Sequence, residues 1–207
     1  MHREALTKEA IQLFSKLKEF DGFYLAGGTA LALQIGHRIS VDFDLFCRDD
    51  ISKNLLDKVK KIFSEFKGNI SPIINNPDEL SVLIGGVKAT FLKYPFPVLN
   101  NFVDWNGLKI LDIPELSATK AYTIGRRGSF KDYVDLFFVL SENYSNLNQI
   151  IELAEKKYGN EFNSRLFLEQ LVYLDDVEET SILFLKKPVD KKQIEDFFAQ
   201  EVRRIEF

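Results

Sequence analysis

The chain has 207 residues, 45% of them hydrophobic with 19 Phe, enough for one large domain or two small ones around a packed core. A net charge of −4 withholds the overall basic footprint of unassisted nucleic-acid binders, and neither a bilayer-spanning apolar run of ~20 residues nor an apolar signal segment after Met1-His2-Arg3-Glu4 is present, so a cytoplasmic protein is expected. The lone Cys47 excludes an internal disulfide, and two histidines, His2 and His37, cannot build a zinc site alone.

In chain order, residues 4–19 read as an amphipathic helix with Leu6, Ala10, Leu13, Phe14 and Leu17 at helical spacing. Phe23-Tyr24-Leu25 reads as a short strand, Thr29 to Ile35 as a helix stopped by Gly36, and Val41 to Phe46 as a half-buried strand. Asp49 or Asp50 caps a helix expected over 51–66. Strands follow at 69–75, 79–84 and 87–94, the last two joined at Gly85-Gly86. Asn106-Gly107 turns 101–105 into 108–111. After Asp112 helical patterns take over, at 114–124, 130–142, 146–158, 161–174 and 190–203. The expected organisation is therefore an α/β domain over 1–112 and a helical domain over 113–207, sharing a cleft. Basic clusters stand at Lys58, Lys60 and Lys61, at Arg126, Arg127 and Lys131, and at Lys186, Lys187, Lys191 and Lys192. Solvated helix faces account for the first and last.

The chemistry concentrates between Phe23 and Phe46. Asp42 and Asp44 lie two apart on the expected strand, so both carboxylates should leave one face while Val41, Phe43 and Leu45 enter a core. Two such acids repel, and a divalent cation, Mg²⁺ or Mn²⁺, relieves the repulsion while binding substrate phosphates. Gly27-Gly28-Thr29 opens the preceding helix, where glycine permits close approach and free N–H groups favour anions. The Thr29 hydroxyl is expected to cap that helix or donate to a phosphate. Arg38, in the turn between helix and strand, joins the nucleotide-binding set. Each part also has an everyday structural counterpart: a plain turn, solvated acids, a helix-to-strand loop.

The residues GGTALAL, GHRISVDFDLF and LSATKAYTIGRRGSFKDYVDLFFVL resemble the AbiEii/AbiGii toxin family of the polymerase-β-like nucleotidyltransferase superfamily, to which the MenT toxins are related. The resemblance covers about residues 20–142. It implies an α+β fold, with a nucleotidyltransferase lobe on a mixed sheet and a C-terminal helical lobe. It also implies a Mg²⁺-dependent enzyme that uses a nucleoside triphosphate to modify RNA, at the acceptor end of tRNA, as the toxin of a toxin–antitoxin or phage-defence system opposed by an antitoxin protein. Asp42 and Asp44 match the metal pair, and Gly27-Gly28 the triphosphate loop. Ser40 matches a serine beside the metal acids that is phosphorylated in some relatives. Lys120 and Asp135 match a helical-lobe lysine and aspartate that complete the active site. Asp135 would either hold Lys120 or take a proton from the attacking hydroxyl. Arg126, Arg127 and Lys131 would meet nucleotide or RNA phosphates.

The third carboxylate of many polymerase-β-like enzymes is missing from Val87–Leu92, where Thr90 takes its place; Asp104 is a weaker substitute. Two other readings stay open. The acceptor could be a protein or a small molecule, since the motifs handle only the triphosphate, or the chain could bind nucleotide without catalysis.

Overall fold

The alternating strand sequences build one sheet that carries the molecule. The computed structural model describes residues 1–66 and 68–205, with Arg127 described in its backbone alone. The strands are β1 (Tyr24–Ala26), β2 (Phe43–Cys47), β3 (Ile70–Asn75), β4 (Glu79–Ile84), β5 (Val87–Lys93), β6 (Val103–Trp105) and β7 (Leu108–Ile110). They lie in the order β3-β4-β5-β2-β1-β7-β6. β2 runs parallel to β5 and β1 parallel to β7, while β1–β2, β3–β4, β4–β5 and β6–β7 are antiparallel, so the sheet is mixed.

The two faces have different fates. Asp44 lies opposite Thr90, and Thr90 opposite Ser81, so these polar residues share one face. Phe43, Leu45, Ala89 and Phe91 occupy the other face and are fully buried. There Phe91 meets Phe20 and Phe23 at ring-centroid distances of 4.8 and 5.2 Å. The helix expected over 4–19 is broken: α1 covers Lys8–Phe14 between two 3₁₀ turns, Arg3–Ala5 and Leu17–Glu19. That break lets Leu6, Leu13, Leu17 and Phe20 all reach the core beneath the sheet. The helix expected over 51–66 shortens to α3, Leu55–Ile62.

The helix α2 (Gly27–Ile35) starts at Gly27, two residues before the expected start, so Thr29 lies inside it and does not cap it. Gly36, in the left-handed conformation at φ 64°, ends it as expected. The later helices are α4 (Ile113–Arg127), α5 (Phe130–Ser141), α6 (Leu147–Tyr158), α7 (Ser164–Leu171) and α8 (Lys191–Arg203). Asp112 caps α4, its side chain accepting from the Glu115 N–H, with Pro114 in the first turn. α2 packs against both α4 and α5, and one hydrophobic cluster runs from Leu6 to Phe198 across both halves. The buried pair of Lys157 and Glu115 ties α6 to α4. Glu115 also accepts the Asn100 N–H at 2.9 Å, and Lys157 donates to the Pro97 carbonyl at 2.8 Å, so the loop after β5 is bound to the helices.

Candidate active site

The cleft lies where α2 starts, β2 starts, and α4 and α5 pass over the polar face of the sheet. Two cavities meet on a shared floor of Gly28, Asp42, Asp44, Lys120, Ser129 and Asp132. One, of about 350 Å³, extends to Arg38, Ser40, Lys131 and residues 181–183. The other, of about 640 Å³, extends to Glu79, Lys88, Thr90, Thr119 and Thr123. The sequence thus brings residues from Gly27 to Leu183 to one place.

Asp44 sits on β2, but Asp42 lies just before it, in an exposed stretch with Val41. Val41 does not enter the core as expected; it is 44% exposed. The strand starts late because Thr29 Oγ1 contacts both Ser40 Oγ, at 2.7 Å, and the Asp42 carbonyl, holding this segment off the sheet. Thr29 and Ser40 are buried by the same contact. Thr29 is therefore occupied with shaping the acidic loop.

Gly27 has φ 67°, and a Cβ there would lie 2.1 Å from Asp44 Oδ2. Only glycine lets the helix start and this carboxylate come so close. A Cβ on Gly28 would lie 2.4 Å from Arg38 Nη2, so the second glycine admits the guanidinium. Burial raises the Asp44 pKa; Lys120 opposes the rise and the neighbouring charge of Asp42 adds to it. An acid in that state gains from a cation. Two carboxylates on a cleft floor suit a hard ion such as Mg²⁺, which takes oxygen ligands and completes its shell with phosphates and water. Among the described residues no group of three or more His, Cys, Asp or Glu forms a metal cage.

Asp135 has the opposite surroundings. It is fully buried, and its four acceptor positions are filled. His37 Nε2 and Arg38 Nε each lie 2.7 Å from Oδ1, while Arg38 Nη2 at 3.0 Å and Lys120 Nζ at 2.7 Å reach Oδ2. Burial opposes its charge, yet Arg38, Lys120 and His37 hold its pKa well below the carboxylate range. A carboxylate so occupied has no lone pair free for a substrate proton. Of the two expected roles, the geometry suits holding Lys120 and does not suit general base. Lys120 is buried against its charge, but Asp135 and Asp132 outweigh this and raise its pKa. Asp132 accepts from Lys120 Nζ at 2.6 Å and from Ser129 Oγ at 2.7 Å, joining the lysine to the start of α5.

Thr90 lies directly opposite Asp44, and its hydroxyl is 3.2 Å from Ser81 Oγ, which donates to Glu79. Asp104 is no substitute acid: it lies on β6 at the far edge of the sheet and accepts from Gly107 N–H at 3.1 Å. Arg126 is exposed, stacks over the Tyr122 ring at 4.1 Å and bonds the Glu161 carbonyl; the Arg127 side chain lies outside the described residues. Sequence reasoning missed His37, Glu79, Lys88, Thr119 and Thr123. None has a local signal: Glu79, Lys88, Thr119 and Thr123 line the cleft through pairing or packing remote in sequence, and His37 is buried against Asp135.

The family model for the nucleotidyl transferase AbiEii toxin of type IV toxin–antitoxin systems matches residues 11–206. An uncharacterised protein of Aquifex aeolicus (strain VF5) is 30% identical over 198 residues, covering 95% of this chain and 94% of the relative. A crystal structure from Helicobacter pylori assigned to the nucleotidyltransferases has a TM-score of 0.57 at 18% identity, covering 95% of this chain and 94% of its own. The nucleotidyltransferase toxin MenT4 of Mycobacterium tuberculosis H37Rv has a TM-score of 0.55 at 17% identity, covering 94% of this chain and 80% of its own. At these identities the two structures speak for the fold, which is the α+β fold expected from the resemblance. With the cleft geometry and the match over nearly its whole length, the chain belongs to the AbiEii nucleotidyltransferase toxin family.

Proposed function

We propose that this nucleotidyltransferase moves a nucleotidyl group from a nucleoside triphosphate onto RNA, at the acceptor end of tRNA, and acts as a cytoplasmic toxin restrained by an antitoxin protein. The observation that carries the reading is the meeting of Asp42, Asp44, Gly28 and Lys120 on one cleft floor, and the reading takes 1–112 and 113–207 as the two domains that share it. In the reaction the acceptor hydroxyl oxygen bonds the α-phosphorus as its proton passes to solvent water, the bond to the β-phosphate breaks, and pyrophosphate leaves. Mg²⁺ or Mn²⁺ on Asp42 and Asp44 would neutralise phosphate charge and align the displacement. Gly27 and Gly28 present the α2 start to the phosphates. Lys120 supplies a fixed cation, and Arg38 stiffens the turn beside it. Asp135 acts as a positioning residue that holds Lys120, Arg38 and His37 together.

The RNA acceptor is supported by Lys131 at the cleft and exposed Arg126 near the end of α4, both able to meet phosphates. Among the described residues no helix is long and apolar enough to cross a membrane. The test is incubation of purified protein with Mg²⁺, each labelled triphosphate in turn and total tRNA, beside Asp42→Asn. Label should enter tRNA with wild type and not with the variant. Label entering only protein or small molecules would overturn the RNA acceptor, and equal labelling by Asp42→Asn would overturn the site.

A further inference from the structure

The segment between α7 and α8 crosses the cleft as an extended strap that no motif announces. Ile39 N–H donates to the Leu183 carbonyl at 2.8 Å, and Leu185 N–H donates to the His37 carbonyl at 2.9 Å. Arg38 and Phe184 form an antiparallel bridge. Lys186 pairs with Glu142 at the end of α5. The strap is thus fixed along the very turn that carries Arg38 and leads to Asp42. Its side chains alternate: Ile182 and Phe184 turn inward, with Phe184 6.3 Å from the Phe138 ring, while Ser181, Leu183 and Leu185 turn outward. The outward face is apolar where a solvated strand would be polar. Leu183 is 64% exposed, and it lines the same cavity as Asp42, Asp44 and Lys120.

That cavity is lined by the charged Arg38, Asp42, Asp44 and Lys120 and also by the apolar Ile39, Val41 and Leu183. A ligand that fills it meets both kinds of wall, and a nucleoside triphosphate offers charge to one and a flat ring to the other. We propose that the strap is the nucleoside seat of the enzyme, with the base of the incoming triphosphate lying against Leu183 and Val41 while its phosphates face the two acids. This rests on the nucleotidyl-transfer reading and extends it to the part of the substrate that the acidic motif does not touch. Apolar walls with a few polar groups are what a base requires. The strap arm adds Lys131 and Arg38 to the shared floor and no acid. The opposite arm adds an acid, Glu79, as well as Lys88, a poorer match for a triphosphate and the side left for the acceptor.

The test compares wild type with Leu183→Asp and Leu183→Met by calorimetric titration of a nucleoside triphosphate and, separately, inorganic tripolyphosphate, both with Mg²⁺. Leu183 is largely exposed, and thermal melting checks that each variant folds. Leu183→Asp should weaken nucleoside triphosphate binding by about tenfold or more, as loss of one buried leucine contact does, with tripolyphosphate binding unchanged and Leu183→Met close to wild type. KM for the triphosphate should rise with kcat less affected. Unchanged triphosphate affinity in Leu183→Asp would overturn the proposal, as would a rise confined to the KM for RNA, which would give the strap to the acceptor. If wild type binds neither triphosphate nor tripolyphosphate, the phosphate site itself fails, and that result is distinct from a loss at the strap alone.

Discussion

Two pairs of aspartates lie at one cleft with opposite surroundings; Asp42, Asp44 and Asp132 line it, and Asp135 is fully buried against Lys120. Asp42 and Asp44 come from the start of β2; burial and the charge of Asp42 push Asp44 up, and Lys120 is the main charge that relieves it. Asp132 and Asp135 come from α5. Burial opposes their charges too, but Lys120, and for Asp135 also Arg38, hold both pKa values low. Lys120 and Lys88 only partly offset the charge of Asp44, whereas Asp132 and Asp135 are in direct contact with protein cations. A pair of the first kind recruits an ion and substrate, whereas a pair of the second kind fixes protein groups in place. The difference teaches that acidic residues at one site divide by what already neutralises them, not by their distance from the chemistry.

Substitutions should separate the pairs, beginning with the largest effect. Asp44→Asn should cut nucleotidyl transfer by about a thousandfold or more, since a catalytic cation contributes several kcal/mol to the transition state. The same variant should keep or raise its melting temperature, because a strained buried charge has been removed. Asp135→Asn should do the reverse, losing about 3–5 kcal/mol in chemical denaturation because buried cations are left unpaired. If Asp135→Asn folds as stably as wild type and only activity falls, the assignment of Asp135 to positioning is wrong. Gly27→Ala should cost about 1–2 kcal/mol from the left-handed backbone alone and should also displace Asp44, lowering activity more than stability.

The smallest effect is in pH. Asp132, Asp135 and His37 all have folded-state pKa values below their ordinary values of 3.8, 3.8 and 6.5. Each therefore contributes stability that is present above that ordinary value and is lost as pH falls toward the folded one. Asp44 has the opposite sign: raised above 3.8, it contributes stability present below 3.8 and lost as pH rises through its folded value. Denaturation midpoints should fall as pH drops below about 6.5 and more steeply below about 4. Asp44→Asn should gain over wild type toward neutral pH, and Asp135→Asn should flatten the acid limb. His37 adds a mark of its own: its Nδ1 is buried without a partner, so the ring is held neutral, with Nε2–H donating to Asp135.

Much of the sheet was legible because its strands alternate and its turns carry Gly85-Gly86 and Asn106-Gly107, both pairs at positive φ. The chain order from Gly27 to Asp44 was legible because spacing alone brings helix start and strand together. Asp42 fell off its expected strand because the Thr29 contact, not local propensity, decides where β2 begins. The 4–19 helix was overread because periodic leucines fit equally well on a short helix flanked by 3₁₀ turns. The strap at 181–185 was invisible because apolar residues occupy both of its faces, which erases the alternation a strand would show, and its partners lie some 145 positions away. His37 looked like a turn residue because its partner is on α5.

The central claim is that the Asp42–Asp44 pair, and not the Asp132–Asp135 pair, receives the cation. Electron paramagnetic resonance of Mn²⁺, titrated into protein with a triphosphate that resists cleavage between its α- and β-phosphates, tests this directly. Wild type should bind Mn²⁺ in a saturable complex that folded Asp44→Asn fails to form at the same concentrations. Equal Mn²⁺ binding by folded Asp44→Asn would contradict the account.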